Sequence, residues 1–363
     1  MNILHLEASP GWGGQEIRIL REAEGMRLRG HTLFFAVARG AKLAVEARKA
    51  GFLVYELRFQ KKAWLFTLFR LLSILRRHQI SLVNTHSSLD SWIGGSAARL
   101  LCIPIVRTRH LSTPIKAGWN SRWLYGSLAD YVVTTCSSIC RTIATQSGKK
   151  SGLIHSIPTG VDPDKIGSGE ERFCSRNHFL IGTACFMRSW KGLFDLIQAA
   201  HLLRANARVR WVIIGGGHEQ IYRERVAELQ LDGIVHFTGH LINPIPAIRA
   251  LDAFALFSTA HEGVSQAILQ AAYLKKPLIA TRTGGLQEVC IDGKTGLSVA
   301  CHSPEQIIDA VKTLMANPQL CQQFGEEAHR LVLRQFTLTH MLDQMEEVYR
   351  LCSGFYSPGG FKN

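Results

Sequence analysis

The stretch DAFALFSTAHEGVSQAILQAAYLKK, Asp252–Lys276, changes its period in the middle. DAFALFST is a short apolar run of the kind that forms a strand buried on both faces. SQAILQAAYLKK spaces its apolar residues as an amphipathic helix does. A buried strand that passes straight into a helix is half of a βαβ unit, and such units build parallel sheets. Between the two runs stand an acid and a glycine, Glu262 and Gly263. Open parallel sheets bind ligands beyond the carboxyl ends of their strands, so the acid sits where a ligand is expected. Gly263 lets a ligand approach the backbone closely, and Ser265 is a natural cap for the helix. The plain alternative for Glu262 is a carboxylate favoured by the helix dipole.

Working outward, strand-like runs alternate with amphipathic ones along the whole chain. NILHLE, TLFFAVA, FLVYEL, ISLVNTH, IPIVRTR and DYVVTTC form a first series. FLIGTAC, VRWVIIGG, IVHFTG, AFALFST, PLIAT and TGLSV form a second, with helical patterns at Gln15–Arg29, Leu193–Asn206 and Pro304–Ala316. The fold class is therefore α/β, with two Rossmann-like domains. The join is expected in IPTGVDPDKIGSGEERFCSRN, Ile157–Asn177, where Pro, Gly and charge replace apolar periodicity. The expected division is an N-terminal domain over 1–165, a second over 166–335, and a helix and frayed tail over 336–363 that crosses back to the first.

With 363 residues, 46 % of them apolar, the chain has enough material for two cores. No run reaches the roughly 18 apolar residues of a membrane span. MNILHLEASPGWGG lacks a basic leader, and Glu7 breaks its apolar run, so it reads as a strand rather than a signal peptide. Nine scattered cysteines without a CxxC pattern suit reduced thiols in a cytoplasmic protein, not a disulfide framework or a zinc site. The net charge of +14 is lopsided: residues 1–165 hold 23 basic against 10 acidic side chains, and the rest 19 against 18. No acid stands between Glu56 and Asp90. The first half is expected to face an anionic partner.

Two loops, GWGGQE at Gly11–Glu16 and GGGHEQ at Gly215–Gln220, follow strands and open helices. Neither completes the dinucleotide fingerprint, because Glu16 and Gln220 stand where its last glycine belongs. Their backbone N–H groups still suit a phosphate or a sugar. FMRSWKG, Phe186–Gly192, sets Arg188 and Lys191 three apart at a strand-to-helix turn, a fork beside a point charge that fits a diphosphate. TRTGGLQEV, Thr281–Val289, repeats the strand, glycine pair and helix pattern. Asp162 and Asp164 spell a DxD metal motif, but at the domain join rather than in a sugar-nucleotide loop, and no metal is expected.

The order RSWKG, GGG, FTGH, then HEGVSQAILQAAYLKKPLIATRTGGLQEVCIDGKTGL resembles the C-terminal domain of retaining glycosyltransferases of family 4. GWGGQE, NTHSS at Asn84–Ser88 and IPTGVD resemble that family's first loop, histidine segment and inter-domain junction. The resemblance covers nearly the whole chain. It implies the GT-B fold, two Rossmann-like domains facing each other across a cleft, and a nucleotide-sugar donor. It implies that Arg188 and Lys191 bind the donor diphosphate. Glu262, with the backbone of Gly263, Val264, Ser265 and Gln266, would hold the donor sugar. Gly13 and Gly14 would pass close to diphosphate and acceptor, Gly215 and Gly216 would line the donor site, and His86 would point toward the donor sugar. The family's second acid, eight residues after the first, is Gln270 here. It keeps an acceptor oxygen for a ribose hydroxyl but loses the charge.

The acceptor is expected against the basic first half. In Phe59–Gln79, Lys61, Lys62, Arg70, Arg76 and Arg77 interleave with Trp64, Leu65, Phe66 and Phe69, a pattern that suits an anionic leaflet or a helix packed on its own sheet. Arg107, Arg109 and His110 in VRTRHLSTPIK are candidates for an acceptor phosphate or carboxylate. A lipid-linked or lipopolysaccharide-core acceptor, met on the cytoplasmic face of a bacterial inner membrane, fits these features. A nucleic-acid-binding protein is a competing reading of the charge, but no reading motif accompanies it, and no nucleic-acid partner is expected. A non-catalytic scaffold and a sugar-nucleotide epimerase are the competing readings.

Overall fold

The first strand, Asn2–Glu7 (β1), is buried along nearly its whole length, as a central parallel strand must be. A computed structural model describes residues 1–113, 115–167 and 178–354; the side chain of Lys61 lies outside that description, as do residues 168–177 of the expected domain join and residues 355–363 of the tail. β1 pairs in parallel with Thr32–Ala38 (β2) and Leu82–Thr85 (β4). Leu53–Leu57 (β3), Ile105–Arg109 (β5), Tyr131–Thr134 (β6) and Ile154–Ser156 (β7) complete a seven-stranded sheet in the order β3-β2-β1-β4-β5-β6-β7.

The second sheet contains Phe179–Ala184 (β8), Val209–Ile214 (β9), Val235–Gly239 (β10), Ala253–Leu256 (β11), Leu278–Thr281 (β12) and Gly296–Val299 (β13). Its order is β10-β9-β8-β11-β12-β13, again all parallel. Both sheets thus carry the doubly wound Rossmann order, and each reverses once: between β1 and β4, and between β8 and β11. Two Rossmann-like α/β domains are present, as the alternating runs require.

The chain divides into two compact units, Met1–Pro158 with the chain from His340 on, and Thr159–Thr339. These joins lie a few residues from the sequence-based ones at 165/166 and 335/336. In the first unit, helix Trp64–Arg77 buries Leu68, Leu71, Ile74 and Leu75 against Leu4, Phe34 and Val83. The last helix, Leu338–Gly354, belongs to this unit over most of its length. Its Tyr349 hydroxyl donates to Glu22 and accepts from Asn84 at 2.8 Å, and Arg29 pairs with Asp343 and Glu346. Gly25 permits this packing: a Cβ there would fall 2.3 Å from Leu342. In the second unit, Trp211, Phe257, Leu196 and Val311 lie in one core. No helix among the described residues is long and apolar enough to cross a membrane.

The helix expected over Leu193–Asn206 stops at Leu202, and Arg204–Asn206 turn into β9 instead. β7 was missed because three residues, Ile154, His155 and Ser156, carry too little apolar alternation to stand out.

Candidate functional site

In the second unit the reversal point is built from the ends of β8 and β11. The chain leaves β8 through Cys185–Met187, makes a tight turn at Ser189–Lys191, and enters helix Leu193–Leu202. Gly192 makes that turn at φ +66°, and a Cβ there would lie 1.9 Å from the Phe257 carbonyl oxygen. Only glycine lets the turn press this closely on the end of β11. Beyond β11, His261 takes a left-handed conformation at φ 61°, uncommon for a side chain of its size, and so turns Glu262 back toward the sheet.

As a result the Lys191 ammonium meets the Glu262 carboxylate directly. The Ser258 hydroxyl donates to the same Glu262 oxygen at 2.8 Å, and Glu262 is only 6 % exposed. Arg188 is exposed and stands 5.2 Å from the ring centres of both Phe186 and Trp190. That places its guanidinium on aromatic faces, with no ion-pair partner among the described residues. The N–H groups of Gly263, Val264 and Ser265 have no partner among the described residues either, and Ser265 stands at the N-cap of helix Gln266–Tyr273. Gln266 is engaged, its side-chain oxygen accepting from Thr159 at 2.9 Å. Gln270 stands one turn later on the same helix face, half-buried.

The glycines of GGGHEQ serve the scaffold. Gly215 at φ +127° would set a Cβ 2.1 Å from the Cys185 carbonyl, and Gly217 would meet Met187 backbone at 2.8 Å. Gly216 accepts from the Met187 N–H at 2.8 Å. These contacts lock the loop after β9 against the Cys185–Met187 stretch that leads to Arg188. Asp162 caps the short helix Pro163–Ile166 by accepting from the Asp164 N–H, and lies 3.8 Å from Lys165.

The first unit's reversal point is chemically different. His86, just past β4, is 4 % exposed, and both its ring nitrogens are engaged. Nε2 is 2.9 Å from His5 Nδ1, and Nδ1 is 3.0 Å from His110 Nε2. Burial, reinforced by neighbouring cations, pushes His5 down to about 3 and holds His86 and His110 well below the usual histidine range. His86, implied by the resemblance to point toward the donor sugar, is the middle ring of three. Sequence reading missed His5; its signal was a polar residue in a strand otherwise apolar at alternate positions.

Beside these rings lie two buried acids. Burial and the charge of Asp90 push Glu7 up to about 8, and burial raises Asp90 to about 6. The GWGGQE loop is held by acids: Asp90 accepts from Ala8 N–H, Glu7 from Ser9 N–H and the Gln15 amide, and Glu16 from Gly13 N–H at 2.8 Å. A phosphate would thus find the Gly13 amide already taken, while Gly14 begins the helix with open space at its Cβ position.

Arg107 is buried, donating to the Ser87 carbonyl and Ser91 hydroxyl, with its guanidinium 4.6 Å from the Tyr125 ring centre. Arg109 donates to the Tyr125 hydroxyl at 2.6 Å and to the Thr113 carbonyl. Both arginines, expected to meet an acceptor phosphate or carboxylate, brace the loop after β5 through these contacts. Helix Trp64–Arg77 does turn outward: Leu65, Phe66 and Phe69 are 61 %, 61 % and 66 % exposed. Lys62, Arg70, Arg76 and Arg77 are exposed beside them, and a cavity of about 410 Å³ lies between Arg39, Arg58, Phe66 and Arg70.

Two family models match the chain in succession. Residues 12–165 match "Glycosyltransferase Family 4", and residues 179–331 match "Glycosyl transferases group 1". An uncharacterised glycosyltransferase of Methanocaldococcus jannaschii is 25 % identical over 61 % of this chain and 58 % of its own length. The lipopolysaccharide core biosynthesis glycosyltransferase LpsE of Rhizobium meliloti is 29 % identical over 42 % of this chain and 44 % of its own. The chain thus spans about half the length of these relatives. HepE of Anabaena, crystallised with UDP and glucose, shares the fold with a TM-score of 0.81 at 21 % identity, covering 97 % of this chain and all of its own. With a family 4 domain followed by a group 1 domain on this fold, the chain is of the GT-B, family 4 glycosyltransferase type.

Proposed function

We propose that the protein transfers a sugar from a nucleoside-diphosphate donor, with retention and without a metal, to a lipid-linked or lipopolysaccharide-core acceptor. The observation that carries this reading is the cluster at the second reversal point: Arg188 on its aromatic shelf, the Lys191–Glu262 pair, and the open N–H groups of Gly263–Ser265. Arg188 takes the diphosphate, since its charge is unspent. Lys191 is shared between Glu262 and a phosphate oxygen, and Glu262, acceptor-only, holds sugar hydroxyls. As the bond to the anomeric carbon breaks, charge grows on the leaving diphosphate. Arg188, Lys191 and the N-terminus of helix Gln266–Tyr273 stabilise it, which supplies the neutralisation a metal gives elsewhere. Retention follows from the resemblance to the retaining family. The HepE complex with UDP and glucose supports the donor class, and the likeness to LpsE supports the acceptor class.

The exposed face of helix Trp64–Arg77 supports an anionic membrane surface as the place of action, with the apolar side chains entering the leaflet and the arginines meeting headgroups. The decisive test is thermal stabilisation by UDP, GDP, ADP, CMP and NAD, on wild type and Arg188→Ala. A ligand at about 100 times its Kd adds roughly 2.7 kcal/mol. One nucleoside diphosphate is expected to stabilise the wild type, and Arg188→Ala to lose most of that gain. Stabilisation by NAD alone, or by no nucleotide, overturns the reading.

A further inference from the structure

Arg39 and Arg58 are the residues that follow β2 and β3. The two strands pair in parallel with Ala38 opposite Leu57, and the Arg39 N–H donates to the Leu57 carbonyl at 3.0 Å. The two arginines therefore leave the sheet side by side. A third, Arg70, comes from helix Trp64–Arg77. Buried Thr67 fixes that helix to the end of β3, its hydroxyl donating to the Arg58 carbonyl at 2.8 Å. All three arginines line the cavity of about 410 Å³, with Phe66 beside them.

Like charges on neighbouring strands repel, and little in the chain offsets them here. None of the three guanidiniums has an ion-pair or hydrogen-bond partner among the described residues. Glu56, the acid that lines the cavity, is spent elsewhere: it accepts from the Gly40 N–H at 2.7 Å and pairs with Arg48 at 2.8 Å. The charge of Arg39 reaches Glu56 only after these contacts. No further acid follows in the chain until Asp90. A bound anion would relieve this repulsion.

The number of charges and the surroundings select the anion. A phosphodiester offers one charge and two free oxygens. A phosphomonoester offers three free oxygens and about −1.5 to −2 charges at pH 7, so each guanidinium gains an acceptor. The surroundings are apolar. Phe66 and Arg70 also line a second cavity of about 400 Å³, together with Tyr55, Phe69 and Arg77. The Arg70 guanidinium lies 6.0 Å from the Phe66 ring centre, and Phe66 and Phe69 are both largely exposed. A soluble phosphate ester has no use for exposed rings beside its site. A lipid has, because its chains leave the headgroup there.

We propose that the cavity between Arg39, Arg58 and Arg70 binds the phosphomonoester headgroup of a membrane lipid, whose chains leave past Phe66 and Phe69. This site rests on the membrane reading of the same helix and sharpens it: the surface is chosen by headgroup and not by charge alone. β2 and β3 stand at the edge of the sheet, and the cavity shares no residue with the reversal point between β1 and β4. The lipid is thus an anchor rather than the sugar acceptor.

The test is binding of the full chain to phosphatidylcholine vesicles that carry either phosphatidic acid, a phosphomonoester, or phosphatidylglycerol, a phosphodiester, in amounts giving the same surface potential. Wild type is expected to bind the phosphatidic acid vesicles about tenfold more tightly. Arg39→Gln with Arg58→Gln is expected to abolish this preference. Lys62→Gln with Arg76→Gln removes two exposed charges that line neither cavity, and is expected to weaken binding to both vesicles alike while keeping the preference. Arg70→Gln is expected to reduce the preference as well, and serves if the double variant at the strand ends does not fold. Equal binding of wild type to the two vesicles, or a preference kept in Arg39→Gln with Arg58→Gln, overturns the headgroup site while the membrane reading stands. Binding to neither vesicle overturns both. Glycerol 3-phosphate, the free headgroup, is expected to displace the protein only at concentrations far above that of the lipid. Displacement at equal concentration makes the ligand a soluble phosphate ester and overturns the lipid.

Discussion

The two units reverse their strand order in the same way and fill the reversal point with opposite chemistry. The second unit places an ion pair and an unspent arginine there, on turns cut so close to neighbouring backbone that only glycine fits. The first places three neutral rings and two acids that burial holds toward their protonated forms. Topology therefore decides where a ligand can be met, and the few residues at the strand ends decide what is met. One end is built to hold charge, the other to hold protons in fixed positions.

If the second site depends on charge, removing one member of its pair has the largest effect. Lys191→Ala leaves Glu262 buried and unpaired, which costs about 3–5 kcal/mol in the second unit. Glu262→Gln leaves a mobile ammonium that can turn to water, and is expected to cost less. Urea unfolding, with hydrogen exchange followed in β11, separates the two variants. Equal and small losses show that the pair is a surface contact, and the contrast between the sites collapses.

The charge difference between the halves extends to the outer face of the first unit. Phe66→Ser with Phe69→Ser removes two exposed rings between arginines, each worth about 1.5–3 kcal/mol when fully buried. Binding to vesicles containing anionic lipid is expected to fall at least tenfold, with the fold unchanged. Unaltered sedimentation with such vesicles removes the membrane from the reading.

The proton-holding character of the first site has a pH signature. Glu7 and Asp90 titrate higher folded than unfolded, where they lie near ~4.3 and ~3.9. Their stabilising contribution is complete below about pH 4 and is lost as pH rises through about 6 for Asp90 and about 8 for Glu7. The histidines titrate lower folded than unfolded, so their contribution is present above about pH 6.5 and is lost as pH falls. Wild type is expected to lose stability between pH 6.5 and 8. Glu7→Gln, a neutral isostere, is expected to flatten that fall and gain about 1–2 kcal/mol over wild type at pH 8. Denaturant midpoints across this range check the sign, and a wild type that gains stability toward pH 8 contradicts it.

Much of this was legible before any coordinates. Twelve strand runs stand where apolar runs meet turn residues, and the helix Pro304–Ala316 matches its expected bounds. The structure brings Lys191 and Glu262 together with Arg188 nearby at the carboxyl ends of β8 and β11, and their candidacy is read from the rule that ligand sites in parallel sheets follow strand ends, which needs no tertiary detail. The first unit was less legible. His5 and Glu7 look like interruptions of an apolar strand, and only the neighbouring β4 and β5 ends turn them into partners. Arg107 and Arg109 read from sequence as candidates for an acceptor anion, but the Ser87 carbonyl and Tyr125, distant in sequence, hold them. The glycines of GGGHEQ are read from sequence as ligand-facing, since sequence cannot tell a backbone held near a ligand from one held near another backbone.

The smallest expected effect lies at Gln270, where the sequence departs from the family it resembles. Helix Gln266–Tyr273 puts Gln270 on the same face as Gln266, whose own oxygen is already given to Thr159. If Gln270 accepts from a ribose hydroxyl, Gln270→Glu replaces a neutral hydrogen bond with a charge-assisted one. That is worth about 1 kcal/mol, or roughly fivefold tighter nucleoside-diphosphate binding by calorimetry. The added charge also repels the diphosphate, a repulsion that Arg188 and Lys191 offset if they bind it as proposed. Weaker binding in Gln270→Glu means that the amide N–H₂ was in use. The nucleotide would then present an acceptor at this position, and the second site would read its donor by neutral hydrogen bonds as well as by charge.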